Sequence, residues 1–172
     1  MKKIAMLVLA AVLLLNLCAC GSLDSVTDNL PNVGGSAASN KEYKPGETAE
    51  AKDVAVTFVG VTESTGAQFL EPAEGNVFIL CEFEIVNNSK KELSISSMMS
   101  FDAYCDDSAI SISISALSAK GNKNQLDGTI AAGKKMKGVV GYEVPSDWKE
   151  IEIQFTPDIM SSSKLTFVAS NN

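Results

Sequence analysis

The sequence predicts an all-β protein: an antiparallel β-sandwich of about eight short strands, preceded by a signal peptide and a disordered linker. Three observations predict it. From Gly46 onward apolar residues recur at every second position, the strand period, and turn-forming clusters interrupt them about every 8 to 12 residues. No convincing amphipathic helix competes with that pattern. Before Gly46 a charged and then apolar run gives way, at Cys20, to a segment rich in Ser, Asn, Gly and Asp. A closed barrel has the same alternation and is the second fold the pattern admits.

Met1-Lys2-Lys3 followed by the apolar run Ile4 to Leu17 has the three-part layout of a secretory signal peptide. At about 14 residues the run is shorter than the ~20 that a membrane-spanning helix needs. Residues 1–19 are therefore read as the signal peptide, 20–44 as a flexible tether held at Cys20, and 45–172 as the sandwich domain. Pro31, Gly34, Gly35 and Pro45 break the tether, and few of its residues could bury apolar area.

Val54 to Thr62 is the first clear strand, with Val54, Val56 and Phe58 on one face and Ala55, Thr57, Val59 and Val61 on the other. After the turn-like Glu71-Pro72-Ala73-Glu74-Gly75, Asn76 to Asn87 alternates most regularly and should aim Val77, Ile79, Cys81, Phe83 and Ile85 at the core. Asn87 to Lys91 is a polar turn. Leu93 and Ile95 point inward from the next strand, and Phe101, Ala103 and Cys105 repeat the period. Ile110 to Ile114 alternates strictly, whereas Ala116 to Lys120 fits a short helical turn. Gln125 to Ile130 and Lys134 to Val144 read as the arms of a hairpin around Ala131-Ala132-Gly133. Ile151, Ile153 and Phe155 mark a further strand, and Leu165 to Ala169 closes the domain.

Charge and composition narrow the function. Lys2 and Lys3 are the only charges before Cys20, so the chain beyond them carries 12 Lys against 21 Asp and Glu, a formal charge of −9. There is no Arg, hence no bidentate phosphate clamp, and an acidic domain repels a nucleic-acid backbone. Nucleic acid is not an expected partner. There is no His either, which removes the usual general base and zinc ligand. No enzymatic activity, catalytic residue, metal or cofactor is expected.

Of the four cysteines, Cys18 falls in the signal peptide and Cys20 at the attachment point. Cys81 and Cys105, both on inward faces, remain as a candidate disulfide in an exported protein. A bridge would close a loop of about 25 residues, worth roughly 3 to 4 kcal/mol. Two buried free thiols acting as small hydrophobes would leave the same pattern.

Gly75-Asn76-Val77-Phe78, Phe83 to Ser89, Gly128 to Lys134 and Gly138 to Pro145 come in an order that resembles a domain of unknown function common in surface lipoproteins of Gram-positive bacteria. The resemblance spans about Gly46 to Ala169. It implies an immunoglobulin-like sandwich, of the superfamily that includes a mycobacterial secreted immunoprotective antigen, and it transfers no catalytic residue. Leu17-Cys18-Ala19-Cys20 likewise resembles a lipobox. That resemblance implies cleavage after Ala19 and a diacylglyceryl group on the Cys20 thiol, whose two acyl chains would hold the protein where one alone gives only marginal attachment.

Other motifs have plainer readings. Gly128 to Lys134 has the glycine and lysine spacing of a phosphate loop, but Lys135 stands where Ser or Thr should hold magnesium, and the segment joins two strands. It reads as a turn in which Gly133 takes a positive φ. Ser161-x-x-Lys164 lacks the companion motifs of the penicillin-binding enzymes. Glu82 with Glu84, and Glu150 with Glu152, are paired carboxylates on outward faces, and Lys135 and Lys137 are placed to pair with one of these rows. Asp102, Asp106 and Asp107 form an oxygen-rich cluster, a weak calcium candidate without the loop pattern of a calcium site. Met98 and Met99, with Tyr104, are a candidate exposed patch, although one Met is expected to fill the core.

The expected protein is thus held in the cell membrane by lipid on Cys20, on its extracytoplasmic face, as a non-catalytic binding or interaction module of the envelope. Its expected partner is an envelope protein or the cell wall. The alternative is an extracytoplasmic sensor or accessory subunit of a membrane protein system.

Overall fold

The structure is a computed structural model that describes residues 41–119, 125–157 and 163–171. The strands are β1 (Glu42–Tyr43), β2 (Thr48–Ala51), β3 (Val54–Ser64), β4 (Asn76–Asn87), β5 (Leu93–Ile95), β6 (Phe101–Cys105), β7 (Ser108–Ile110), β8 (Gly128–Ile130), β9 (Lys135–Pro145), β10 (Glu150–Phe155) and β11 (Leu165–Ser170). Among the described residues one helix, α1 (Ile114–Ala119), lies between β7 and β8. One sheet runs β1-β11-β10-β6-β7 and the other β2-β3-β4-β9, with β5 and β8 as a separate two-stranded ribbon. This is the expected β-sandwich. Among the described residues it departs from a purely antiparallel one at β1, which pairs parallel to β11 through Glu42 with Thr166 and Tyr43 with Phe167, and at an isolated parallel bridge between Gln125 and Val139. β1 also falls inside the segment read as tether.

The core forms where the two inner faces meet, because alternate residues of each strand share a face. Phe58 and Phe83 of one sheet stack at 4.8 Å between ring centroids. Phe167 of the other sheet meets Phe83 edge-on at 5.3 Å, and Phe101 lies 4.9 Å from Phe155. Such aromatic pairs add about 0.5–1.5 kcal/mol each beyond the area they bury.

Local chemistry departs from simple alternation at four places. The β3–β4 register shifts between Phe58 and Gly60, a bulge that leaves Val59 exposed and turns Val61 to the core side opposite Cys81. Val61, expected on the face opposite Val54, Val56 and Phe58, therefore joins them. Phe78 and Leu80, expected on the outer face of β4, are buried all the same, and Leu80 packs with Leu117 of α1 and Val139. Ser113 caps the helix, its hydroxyl accepting the Ala116 N–H at 3.2 Å. A side chain on Gly141 would lie 3.1 Å from Leu117, so glycine is what lets helix and sheet approach. The helix begins at Ile114, so the strand expected through Ile114 stops at Ile110, with a bridge from Ile112 to Tyr142.

The fourth departure is the expected hairpin around Ala131-Ala132-Gly133. Its arms form no antiparallel ladder with each other: β8 pairs with β5 and β9 with β4, and a single parallel bridge joins Gln125 to Val139. The turn itself forms, with Gly133 at φ 69° and the Lys134 N–H donating to Ala131 O at 3.0 Å. Buried Asn87 occupies the place between the arms. Its amide donates to Ile130 O at 2.9 Å, its own N–H donates to Lys134 O, and its carbonyl accepts from Gly133.

Candidate functional site

Strand directions sort the surface into two ends. At one end the close of β3 meets the approach to β10 and the exit from β11, because Glu63 Oε1 accepts the Trp148 indole N–H at 2.6 Å and lies 3.4 Å from the Asn171 amide. The β6–β7 turn belongs to this end. Asp106 and Asp107 both take positive φ, 46° and 67°, the demand of a two-residue hairpin turn between Cys105 and Ser108. The Asp106 carboxylate then accepts the N–H groups of Lys149 at 3.0 Å and Glu150 at 2.8 Å, tying the turn to the start of β10. A shallow cavity of about 180 Å³ opens beside it, lined by Tyr104, Asp106, Asp107, Glu150, Glu152 and Gln154.

The β3–β4 loop projects from the same end. Ala67 and Leu70 exchange reciprocal backbone hydrogen bonds at 3.1 and 2.8 Å around Gln68 and Phe69. Phe69 sits at φ 69° and is 91% exposed. Gly66 makes the turn sterically accessible: at φ 90°, a Cβ there would lie 2.2 Å from Leu70 O. Behind the turn, Glu143 accepts the Asn76 amide and the Ala73 N–H, both at 2.9 Å, which hold its carboxyl below the usual glutamate range. The alternation of β3 and β4 says nothing about Phe69. Its only sequence signal is an apolar residue between the breakers Gly66 and Pro72.

The sequence-predicted residues scatter over several tasks. Asp102 pairs with Lys164 at 2.9 Å on the outer face of β6, away from the Asp106–Asp107 turn, so the three aspartates do not converge. Among the described residues no group of three acidic or cysteine side chains is placed to hold a metal. Glu84 pairs with Lys135 at 3.0 Å and Glu82 with Lys137 at 3.5 Å, so of the two glutamate rows it is that of β4 that the lysines meet, diagonally across β4 and β9. Glu152 instead accepts from Gln154 at 2.6 Å. Met98 and Met99 are both exposed, at 76% and 63%, where one had been expected inside. Ser100 turns back to the Ser96 N–H and is buried in place of a methionine. Tyr104 does not join them; it lines the acidic cavity.

Cys81 and Cys105 face the same core from opposite sheets as buried free thiols. Burial pushes both thiols up, with the Asp106 charge adding to the shift at Cys105. Cys20, the signal peptide, the tether up to residue 40, and Ser161 lie outside the described residues.

Several solved structures share this fold. A protein titled "putative lipoprotein (ycdA)" from Bacillus subtilis superposes with a TM-score of 0.60 at 17% identity, over 72% of this chain and 38% of its own. The present chain thus spans well under half of that protein. The yjhA protein of Bacillus subtilis gives 0.57 at 16% identity, over 73% and 97%. An uncharacterized β-sandwich protein from Clostridium difficile gives 0.50 at 18% identity, over 77% and 95%. At these identities the likeness is one of fold. No curated protein matches the sequence. Residues 43–165, from β1 to the start of β11, match one family model, and the chain belongs to that family, the domain of unknown function DUF4352.

Proposed function

We propose that this chain is a lipid-anchored extracytoplasmic protein whose sandwich acts as a non-catalytic binding module, engaging an envelope protein through the end that carries Phe69. The observation that carries the binding site is Phe69 itself. A bulky residue in left-handed conformation costs about 1–2 kcal/mol, and exposing its ring forgoes burial as well. A side chain held out in this way has the character of an aromatic anchor for a partner's pocket. Glu63 at the close of β3 and Glu71 and Glu74 in the loop that carries Phe69 belong to the same end, so a complementary surface would be cationic around an apolar pocket.

Anchoring through Cys20 is supported by the lipobox-like Leu17-Cys18-Ala19-Cys20 and by one structural neighbour's description as a lipoprotein. A non-catalytic role is supported by the absence of His and by the ion pairs and backbone contacts that occupy Asp102, Asp106, Glu82 and Glu84. Two experiments test the reading. Replacing Cys20 by Ala should release the protein into the medium, and retention in the membrane would refute the anchor. A photo-reactive phenylalanine analogue at position 69, used in intact cells, should cross-link one discrete envelope protein and lose it when Glu71 and Glu74 become Lys. Cross-linking that ignores those charges would refute the site.

A further inference from the structure

The two ends of the sandwich differ in charge. The end with Phe69 carries Glu63, Glu71, Glu74, Asp106, Asp107 and Asp147 among others, against Lys149 and, in the turn between β1 and β2 that faces this side, Lys44. At the opposite end the β2–β3 turn carries Lys52, the β4–β5 turn Lys90 and Lys91, and the β8–β9 turn Lys134. All four are exposed, and none makes an ion pair with another described residue. Glu42, Asp53 and Glu92 stand among them, so this end is only mildly basic; the contrast between the ends is what is large.

Three further features share the lysine-bearing end. β1 starts there, Glu42 lying against Thr166 near the start of β11, so the first described residues stand at this end. Met98 and Met99, in the turn before β6, expose apolar side chains there. An open groove of about 610 Å³ runs beside the β8–β9 turn, lined in part by Thr129, Lys134, Lys135 and Lys137.

We propose that this end is a surface for anionic phospholipid headgroups, which turns the tethered domain so that its acidic end, with Phe69, points away from the bilayer. The proposal rests on the lipid-anchored reading. A bilayer with negative surface potential attracts lysines within about a Debye length, ~10 Å at 0.1 M salt, and repels carboxylates. A domain of strong negative net charge does not bind such a surface by charge alone. Once tethered it is confined beside the surface, and the difference between its ends acts as a torque. The exposed methionines suit the boundary between headgroups and acyl chains.

Trp148, the single tryptophan of the chain, is seated at the acidic end and reports the orientation. The test uses the chain from Cys20 onward, which holds every described residue, coupled through Cys20 to a maleimide-bearing lipid in vesicles. Cys81 and Cys105 are buried and do not compete for the reagent. Energy transfer from Trp148 to a dansyl-headgroup lipid should be about twofold lower on phosphatidylglycerol-rich vesicles than on phosphatidylcholine vesicles. Salt at about 0.5 M should abolish the difference. So should the triple variant Lys90→Glu, Lys91→Glu, Lys134→Glu, whereas Lys149→Glu should leave it intact; thermal melts verify that both variants fold. Equal transfer on the two kinds of vesicle overturns the proposal, as does a difference that survives the triple variant. Because the lipid is attached chemically, either failure is separate from that of the anchor, which the release of the Cys20→Ala protein tests alone.

Discussion

The side-chain amide of Asn87 donates to the carbonyl of Ile130 at 2.9 Å inside the sandwich, and again to the carbonyl of Lys91 at 2.7 Å. One buried polar residue thereby ties the end of β4 to the strand that leaves the sheet beside it. Replacing Asn87 by Ala removes both donations, an expected loss of about 1–3 kcal/mol. Urea denaturation measures it. Asn88→Ala, an exposed neighbour, should change stability by no more than about 0.5 kcal/mol. Equal effects at the two positions would contradict the role given to Asn87.

Tyr142 presents the reverse case. Its hydroxyl is buried without a hydrogen-bond partner among the described residues, and burial keeps the phenol protonated by pushing its pKa up. Tyr142→Phe should therefore be neutral or raise stability by about 1 kcal/mol, since an unpaired buried hydroxyl is a penalty in the folded state. A loss above about 1 kcal/mol, read from the same urea curves, would show that the hydroxyl is bonded in solution.

Phe69 separates stability from binding. Glycine relieves the left-handed backbone, so Phe69→Gly should stabilise the domain by about 0.5–1 kcal/mol, partly offset by the greater freedom of glycine in the unfolded chain. The same substitution should abolish capture of the cross-linked partner. A variant less stable than the parent would mean that the ring packs against the domain.

Glu143 makes part of the stability depend on pH. Hydrogen bonds from Asn76 and Ala73 depress its folded pKa below the unfolded value, near the ordinary 4.5. Its contribution is therefore present above that unfolded value and is lost as pH falls through the depressed folded one. Glu143→Gln should lower the melting temperature at neutral pH, and the gap to the parent should close in more acidic buffer. A gap that stays constant from neutral pH into acid would exclude the linkage.

Thiol reactivity checks the two core cysteines. In folded protein whose Cys20 is lipidated, Cys81 and Cys105 should resist a thiol reagent, because burial holds both in the protonated form. In denaturant without reductant both should react. A protein whose core thiols stay silent there would carry the Cys81–Cys105 disulfide instead.

The strands were legible in the sequence because alternation is local. Ile79, Phe83, Ile153 and Phe155 reveal the buried face of their strands whatever those strands pair with, and the composition of residues 20–44 marks a segment unlike the domain. The positive φ of Gly133 and the ion pairs of Lys135 and Lys137 followed from turn chemistry and pleat spacing. Pairing partners were not legible. Alternation identifies a face but not a neighbour, so the arms around Gly133 looked like a hairpin until Asn87 was seen to occupy the space between them. The bulge at Val59, the helix covering Leu80 and the parallel β1 likewise depend on residues distant in the chain. The candidate binding end shows the same division. By itself the sequence determined an acidic, histidine-free sandwich behind a segment with the layout of an export signal and a lipobox-like Cys20. Only the tertiary structure, by running the strands back and forth between two ends, gathered carboxylates and Phe69 at one and, at the other, lysines without an ion pair among the described residues.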